Sequence, residues 1–321
     1  MNEENEWSGV IKEVPVNMGL VREISVDEVK KAVRSMKNGK SLGPDGIPVE
    51  VWKVLGEDGC KWLTLFFNKL LQETKIPSEC LLVPIFKNKG DVQDCSNYRG
   101  IKLMSHSMKV WEKVIEKRLR EESKITQNQF GFMPGRGTTD AIFALRQVCE
   151  QFRRAHKNLH MVFVDLEKAY DRVPRTVLWW ALREKGIPGK YVELIYAMYE
   201  KSNTYVRSAA GNTDEFNVAV GLHQGSALSP YLFLLVIDAL TSDQQEEAPW
   251  CMLFADDIVL VGEDETEIQS RLEKWQQKLE NVGLKISRTK TEHMFCDFGG
   301  LSNWRDRRNR RIAFSSRTLE P

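Results

Sequence analysis

Two adjacent acids, Asp256 and Asp257, stand between two apolar runs of strand length, 249–253 and 258–262. The pattern predicts a buried β-hairpin with carboxylates at its tip. Asp is also a common turn residue, because its side chain bonds local backbone amides, so an ordinary turn and a cation site are both open at this point. Neighbouring carboxylates flanked by buried strands repel each other, and a coordinated cation relieves that repulsion. A third acid, Asp165, interrupts another short apolar run, 160–166, and Pro174 ends the segment that contains it. If the two strands are neighbours, three carboxylates converge and can hold two divalent cations. Oxygen-only ligation favours Mg²⁺ over zinc or copper, and paired ions of this kind serve phosphoryl transfer.

The chain that must position these acids has 321 residues, 42% hydrophobic and 28% charged, enough for a large core in two or three subdomains. No apolar run approaches the ~20 residues that span a bilayer, and the acidic start 1–6 lacks a signal-peptide pattern. An intracellular home, nucleus or cytoplasm, is the expectation. Six cysteines, at 60, 80, 95, 149, 251 and 296, show no zinc-type spacing and are expected to be reduced core thiols. A net charge of +1 makes any nucleic-acid surface local rather than global.

Taken in order, 1–23 reads as an arm with little structure of its own. Ser25 caps a helix that ends by Gly39, and further helical stretches cover 49–55 and 60–73. The run 81–86 is strand-like, and Pro84 within it predicts an edge strand. A turn over 87–91 leads back through 96–103, so Lys87, Lys89 and Arg99 lie on one hairpin, either facing an anion or simply solvated. An amphipathic helix covers 107–120, with Lys113 on its basic side. The glycine-rich 129–137 precedes a helix capped at 138–140. It reads either as a tight connection or as a phosphate loop with Arg136 as charge partner. Helices follow from Pro174 and from Pro188, then strands at 204–208 and 214–220 joined through Gly211-Asn212. Gln224-Gly225 precedes a very apolar helix opened by Ser229-Pro230. After the acidic hairpin come a helix over 266–282, a closing pair of strands at 284–287 and 291–295, and a basic run, Asn303 to Arg311.

The order of landmarks says more than any one of them. GPDGIPVE, SNYRGIKL, FGFMPGRGTTD, FVDLEKAYDRVP, GLHQGSALSP, FADDIVL and LKISRTKTE occur in succession over about residues 24–296. This resembles the reverse transcriptase of non-LTR (LINE-like) retrotransposons, with wording nearest the RTE-type group. The resemblance implies an α+β right-hand polymerase fold: an antiparallel palm sheet backed by helices and a mainly helical fingers subdomain. In these terms 1–23 is the arm, 24–160 the N-terminal helices and fingers, 161–296 the palm with a helical insertion at 174–210, and 297–321 a basic tail. It further implies RNA-templated DNA synthesis with two Mg²⁺ ions, for which Mn²⁺ can substitute, on an RNA template and DNA primer with deoxynucleoside triphosphates, and no membrane. Asp165, Asp256 and Asp257 match the metal-binding acids, and Lys290 the lysine proposed to protonate the leaving pyrophosphate. Tyr170 matches the gate against a ribose 2′-hydroxyl. Arg99 and Lys87, with Lys89 as the alternative, match residues on the incoming triphosphate, Gln224 and Gly225 the motif at the nucleotide and template base. Lys113 and Arg136 are expected to touch nucleic acid.

The ends depart from the family. Nothing before Ser25 matches its upstream endonuclease, and after Phe295 the expected thumb gives way to Gly299-Gly300 and the arginine run. The expectation is therefore a fragment or derived copy with the thumb absent or truncated. Two functions compete, an active polymerase, favoured by the intact acids, and a non-enzymatic remnant, favoured by the departing end.

Overall fold

The computed structural model describes residues 13–77, 80–200, 203–208 and 211–299. The start of the predicted arm and the arginine run lie outside the described residues. In chain order the first elements are α1 (Val26–Ser35), α2 (Val49–Val54), α3 (Gly56–Glu73), β1 (Cys80–Phe86), β2 (Tyr98–Leu103), α4 (His106–Glu122) and α5 (Thr138–Arg154). Next come β3 (Leu159–Val164), α6 (Ala169–Arg172), α7 (Arg175–Glu184), α8 (Gly189–Glu200), β4 (Asn203–Ser208), β5 (Gly211–Asn212) and β6 (Phe216–Asn217). The last are α9 (Ser229–Thr241), β7 (Cys251–Phe254), β8 (Asp257–Gly262), α10 (Glu265–Glu280) and β9 (Glu292–Cys296). None of the described helices is long and apolar enough to cross a membrane.

These elements form two units that interleave along the chain. The first takes the described residues up to Lys124 together with Val173–Phe233, the second Ile125–Arg172 and the described residues from Leu234 on.

In the first unit, α1 starts as its cap predicts. The Ser25 hydroxyl accepts from the Glu28 amide, and the Glu28 carboxylate accepts from the Ser25 amide at 2.9 Å. That carboxylate also takes two bonds from Arg118 on α4, Nε at 2.8 Å and Nη2 at 2.9 Å. Arg118 is buried and donates further to the carbonyls of Arg22 and Glu23. One guanidinium thus ties the chain ahead of α1, its first turn and α4 together. Around it Val29 and Val33 of α1, Leu63 and Phe67 of α3, and Trp111 and Ile115 of α4 are buried.

The sheet of this unit is ordered β2-β1-β4-β5, with β6 also on β4. This corrects the expectation of an edge strand at 81–86: β1 lies between β2, antiparallel, and β4, parallel. Pairing with β4 stops at Leu82↔Val206, so Pro84 sits where that side of the ladder has already ended, and its missing N–H costs no bond. Gly211-Asn212 is likewise not merely the joint of a hairpin, since it pairs with Ser208 and Arg207 as β5.

The sheet of the second unit is wholly antiparallel, β7-β8-β3-β9. Side chains alternate across it. Met161 and Val261 lie on the face that packs with Val148 and Leu145 of α5. On the opposite face a Cβ at Gly262 would meet Ile268 of α10 at 3.6 Å, and Leu272, Trp275 and Leu279 continue the buried stripe of that helix. Arg271 of α10 donates to the carbonyls of Val261 and Trp250, closing the open end of the β7–β8 hairpin. The predicted strand pair 284–287 with 291–295 does not form. β9 pairs with β3 instead, and 284–287 is fastened by a single bridge, Leu166↔Ile286. Cys60 and Cys251 are free core thiols as expected, whereas Cys95 is free and exposed.

The ion pair of the first unit has a pH signature. Burial draws the Glu28 carboxyl upward, but the bonds from Arg118 and Ser25 and the Arg118 charge outweigh it and bring it to about 2, below the ordinary 4.5. A depressed carboxylate stabilises the fold fully above 4.5, and that contribution fades as pH falls toward about 2. It amounts to about 3 kcal/mol. Glu28→Gln is expected to cost about 3–5 kcal/mol at neutral pH by leaving a buried guanidinium unpaired, and to flatten stability between pH 5 and about 2, both read by urea denaturation.

Candidate active site

β3 is covered on both faces and, apart from His160, apolar, as suits a central strand of a covered sheet. Its ladder with β8 ends at Val164↔Ile258, and one position further Asp165 comes opposite Asp257. By alternation both lie on the face that carries Phe163 and Val259. Burial along β3 falls from the fully buried Met161 to a half-buried Phe163 and an Asp165 side chain 26% exposed. The acids therefore stand where α5 no longer covers the sheet. Asp256 occupies the turn of the β7–β8 hairpin, closed by the pair Phe254↔Asp257.

The electrostatics result from this placement. The Asp257 carboxyl is raised by partial burial, then by the neighbouring Asp256 and Asp165, and only Lys290 opposes them. Lys290 Nζ donates to Asp165 Oδ2 at 2.8 Å. The lysine reaches it because the segment after the strand is pinned to 285–287: Ser287 N donates to the Asp165 carbonyl and Glu167 N to that of Lys285, each at 2.8 Å. Tyr170, on α6, is raised by burial and then by the Asp256 charge. Among the described residues no three His, Cys, Asp or Glu side chains are gathered tightly enough to form a ready-made cage. The donor set is nonetheless of the right kind for a hard divalent cation: carboxylates only, in excess negative charge. Asp165, Asp256 and Asp257 are the residues that would hold it.

The turn itself is strained. Ala255 has φ of 58°, a left-handed conformation that costs a residue with a Cβ about 1 kcal/mol. Sequence reasoning missed what holds it. Phe130 N donates to the Leu253 carbonyl at 2.8 Å and Leu253 N to that of Asn128 at 2.9 Å, so 128–130 is fastened to β7 by a single parallel bridge, Gln129↔Leu253. Gln129, buried, turns its side-chain oxygen to the amides of Ala255, at 2.9 Å, and Gly131, at 2.8 Å. Gly131 must be glycine, because a Cβ there would stand 2.4 Å from Ala255 N. The glycine-rich stretch is thus a brace for the acidic hairpin. Arg136 belongs to the brace too: its guanidinium donates to the carbonyls of Gln127 and Gln129 and lies over the Phe130 ring at 5.2 Å. It is exposed on its other side.

The remaining sequence candidates lie in the first unit. Lys87 N bonds the Asn97 carbonyl and Arg99 pairs with Ile85, so alternation puts Lys87 and Arg99 on one face of the β1–β2 hairpin, with Lys89 in its turn. Arg99 is exposed, Lys87 half-buried. Gln224 is half-buried and its carbonyl accepts from Lys102 N at 2.7 Å. Gly225 has φ of 101°, and a Cβ would meet the Lys102 carbonyl at 2.7 Å, so glycine is required there. Lys113 is half-buried on α4.

Comparison with known proteins bears on the fold and the family. A solved telomerase from Candida tropicalis, in complex with a fragment of telomeric RNA, superposes with a TM-score of 0.51 at 14% identity, covering 78% of this chain and 45% of that one. The fold is therefore that of the right-hand polymerases. Residues 86–314, more than half of the chain, match the family model described as reverse transcriptase (RNA-dependent DNA polymerase), and the chain belongs to that family. It is 28% identical to the transposon TX1 149 kDa protein of Xenopus laevis, over 77% of this chain and 20% of that protein. It is 26% identical to the Pol polyprotein of the type-1 retrotransposable element R2 of Nasonia vitripennis, over 83% of this chain and 26% of that one. Its relatives are non-LTR retrotransposon proteins, as the motif order implied, and it spans only a minor part of their length.

The brace makes a test independent of activity. Gly131→Ala is expected to destabilise the protein by about 1–3 kcal/mol through its clash with the hairpin. Gln129→Leu, which leaves two buried amides without an acceptor, should cost at least as much. Denaturant titration reads both, and amide exchange at Ala255 should rise in each variant.

Proposed function

We propose that this chain is the domain that copies RNA into DNA for a non-LTR retrotransposon, with Asp165, Asp256 and Asp257 as its metal-binding acids. The observation that carries the reading is the register of β3 on β8, which sets Asp165 against Asp257 with Asp256 in the adjoining turn. Bound Mg²⁺, or Mn²⁺ in its place, supplies charge stabilisation for the attacking and leaving oxygens of phosphoryl transfer. The chain's own residues do the rest. The three carboxylates concentrate negative charge at one strand end, and Lys290, bonded to Asp165, balances part of it. Tyr170, half-buried on α6 and within reach of the Asp256 charge, lies under the incoming sugar and excludes a 2′-hydroxyl. Arg99, with Lys87 or Lys89, meets the triphosphate, and Gln224-Gly225 meets the nucleotide and the template base. Lys113 and the open side of Arg136 contact the backbone of the RNA template or DNA primer. The RTE-type assignment rests on the wording of the motifs.

Primer extension on poly(rA)/oligo(dT) tests the activity: the wild type is expected to extend, and Asp256→Asn to lose at least about a hundredfold, the scale of removing one charge-stabilising group. No extension by the wild type at any divalent-metal concentration would overturn the polymerase reading in favour of the remnant. Tyr170→Val should incorporate ribonucleotides that the wild type rejects. For Lys290, the expected outcome is tighter metal binding on removal: Lys290→Met should bind Mn²⁺ roughly fivefold more tightly, the scale of an exposed ion pair, as read from the electron paramagnetic resonance of free Mn²⁺ without nucleotide.

A further inference from the structure

α4 carries an acid where its apolar stripe should be unbroken. Met108, Glu112, Ile115 and Leu119 recur at spacings of four, three and four, one face of a helix, and Glu112 is fully buried on that face. A buried carboxylate is retained only when its oxygens are bonded. Here both are: Ser226 Oγ donates to Oε1 and Ala227 N to Oε2, each at 2.7 Å. Ser226 Oγ in turn accepts from the amides of Leu228, at 3.1 Å, and Ser229, at 3.2 Å, the entry of α9. On its other side the loop is fastened by the bond from Lys102 N to the Gln224 carbonyl and by the close fit of Gly225 on Lys102. Gln224 and Gly225 are therefore held between β2 and α4, with the Glu112 carboxylate making the bonds on the α4 side.

We infer that Glu112 is a positioning residue for nucleotide binding, holding the Gln224-Gly225 loop in the conformation that receives the incoming deoxynucleotide. This rests on the polymerase reading above. Glu112 does not touch substrate, and it acts through Ser226 and Ala227. Because the loop meets the nucleotide alike in the bound and reacting states, loosening it raises KM and leaves kcat nearly unchanged. A residue needed only for folding would instead lower the amount of active protein, reducing apparent kcat at constant KM.

The carboxylate also gives the clamp a pH signature. Burial raises the Glu112 carboxyl to about 7, against the bonds from Ser226 and Ala227 and the charge of Lys109 on the same helix. Tyr199 of α8 faces it as well and is itself raised, to about 12, so it stays neutral throughout. Below about 7 one of the two acceptor oxygens takes a proton and can no longer accept as before. Nucleotide KM of the wild type should then rise as pH falls from 8 to 6, by a component that Glu112→Gln removes.

The experiment measures steady-state KM and kcat for dTTP on poly(rA)/oligo(dT) from pH 6 to 8 for the wild type, Glu112→Gln and Ser226→Ala, together with amide exchange over 224–227. Glu112→Gln should raise KM at pH 8 roughly tenfold, the loss expected of a charge-assisted bond. Ser226→Ala, which keeps the Ala227 bond, should raise it less, with kcat within about twofold in both and faster exchange over the loop. If Glu112→Gln does not fold, Ser226→Ala alone decides by the same KM and exchange criteria. An unchanged KM with reduced kcat, or a pH component that survives in Glu112→Gln, would overturn the inference. If the wild type extends no primer, the polymerase reading fails separately. Exchange then decides the clamp: unchanged protection of 224–227 in the variants removes Glu112 from any positioning role.

Discussion

Asp165 and Asp257 stand one register position beyond the last apolar pair of β3 and β8, so the sheet has to carry their repulsion. Unit charges at cross-strand spacing oppose each other by a few kcal/mol in a partly solvated site. Against this stand buried Met161, Val162, Val164, Ile258, Leu260 and Val261, each worth about 1.5–3 kcal/mol. Burial wins, and it also fixes the register. A slip of one residue on either strand would turn its acid onto the face of α10 and bring its apolar side chains out from beneath that helix. Helix packing on both faces of the sheet is therefore what makes the acidic strand end possible, and Lys290 and the Gln129 brace act on a geometry already set by the core.

The first unit solves a related problem with buried polar groups rather than buried apolar ones. Arg118 and Glu112 both lie on the apolar side of α4, and both are fully bonded, one to the chain around α1 and the other to the loop ahead of α9. An apolar side chain at either position would pack, but it would not specify which backbone conformation it packed against. A carboxylate that accepts from one hydroxyl and one amide, or a guanidinium that donates to two carbonyls and a carboxylate, admits few alternatives.

The acids stand out in the sequence because they interrupt apolar runs of strand length, although an ordinary turn would also accommodate the Asp256-Asp257 pair. The order of the motifs made the family legible for a different reason, since seven landmarks in fixed succession are far more specific than any one. The edge assignment of β1 failed because Pro84 reports only a missing hydrogen bond, and a parallel neighbour that pairs with half of the strand leaves the same trace as none. The strand expected at 284–287 failed because a four-residue apolar alternation does not say whether a ladder or a single bridge will use it. Glu112 did leave a signal, an acid at a core position of an amphipathic helix. Gln129 left none, because a side chain that serves two amides from a loop has no periodicity.

Gln129 and Glu112 make the same kind of bond, and the difference between them comes from where they stand. Each accepts from backbone amides of a turn that no ladder satisfies, one around Ala255 and one around Ala227. A carboxylate makes the stronger acceptor, yet at position 129 it would add a further negative charge at the turn that carries Asp256, where Asp257 is already raised by burial and by its acidic neighbours. The neutral amide offers one oxygen to two N–H groups and leaves the charge balance of the acids to Lys290. Glu112 answers to Lys109 and to the two donors of its loop, so there a charge can serve and the stronger bond is available. The charge of each acceptor is thus set by the electrostatics of the site it supports, not by the turn it holds.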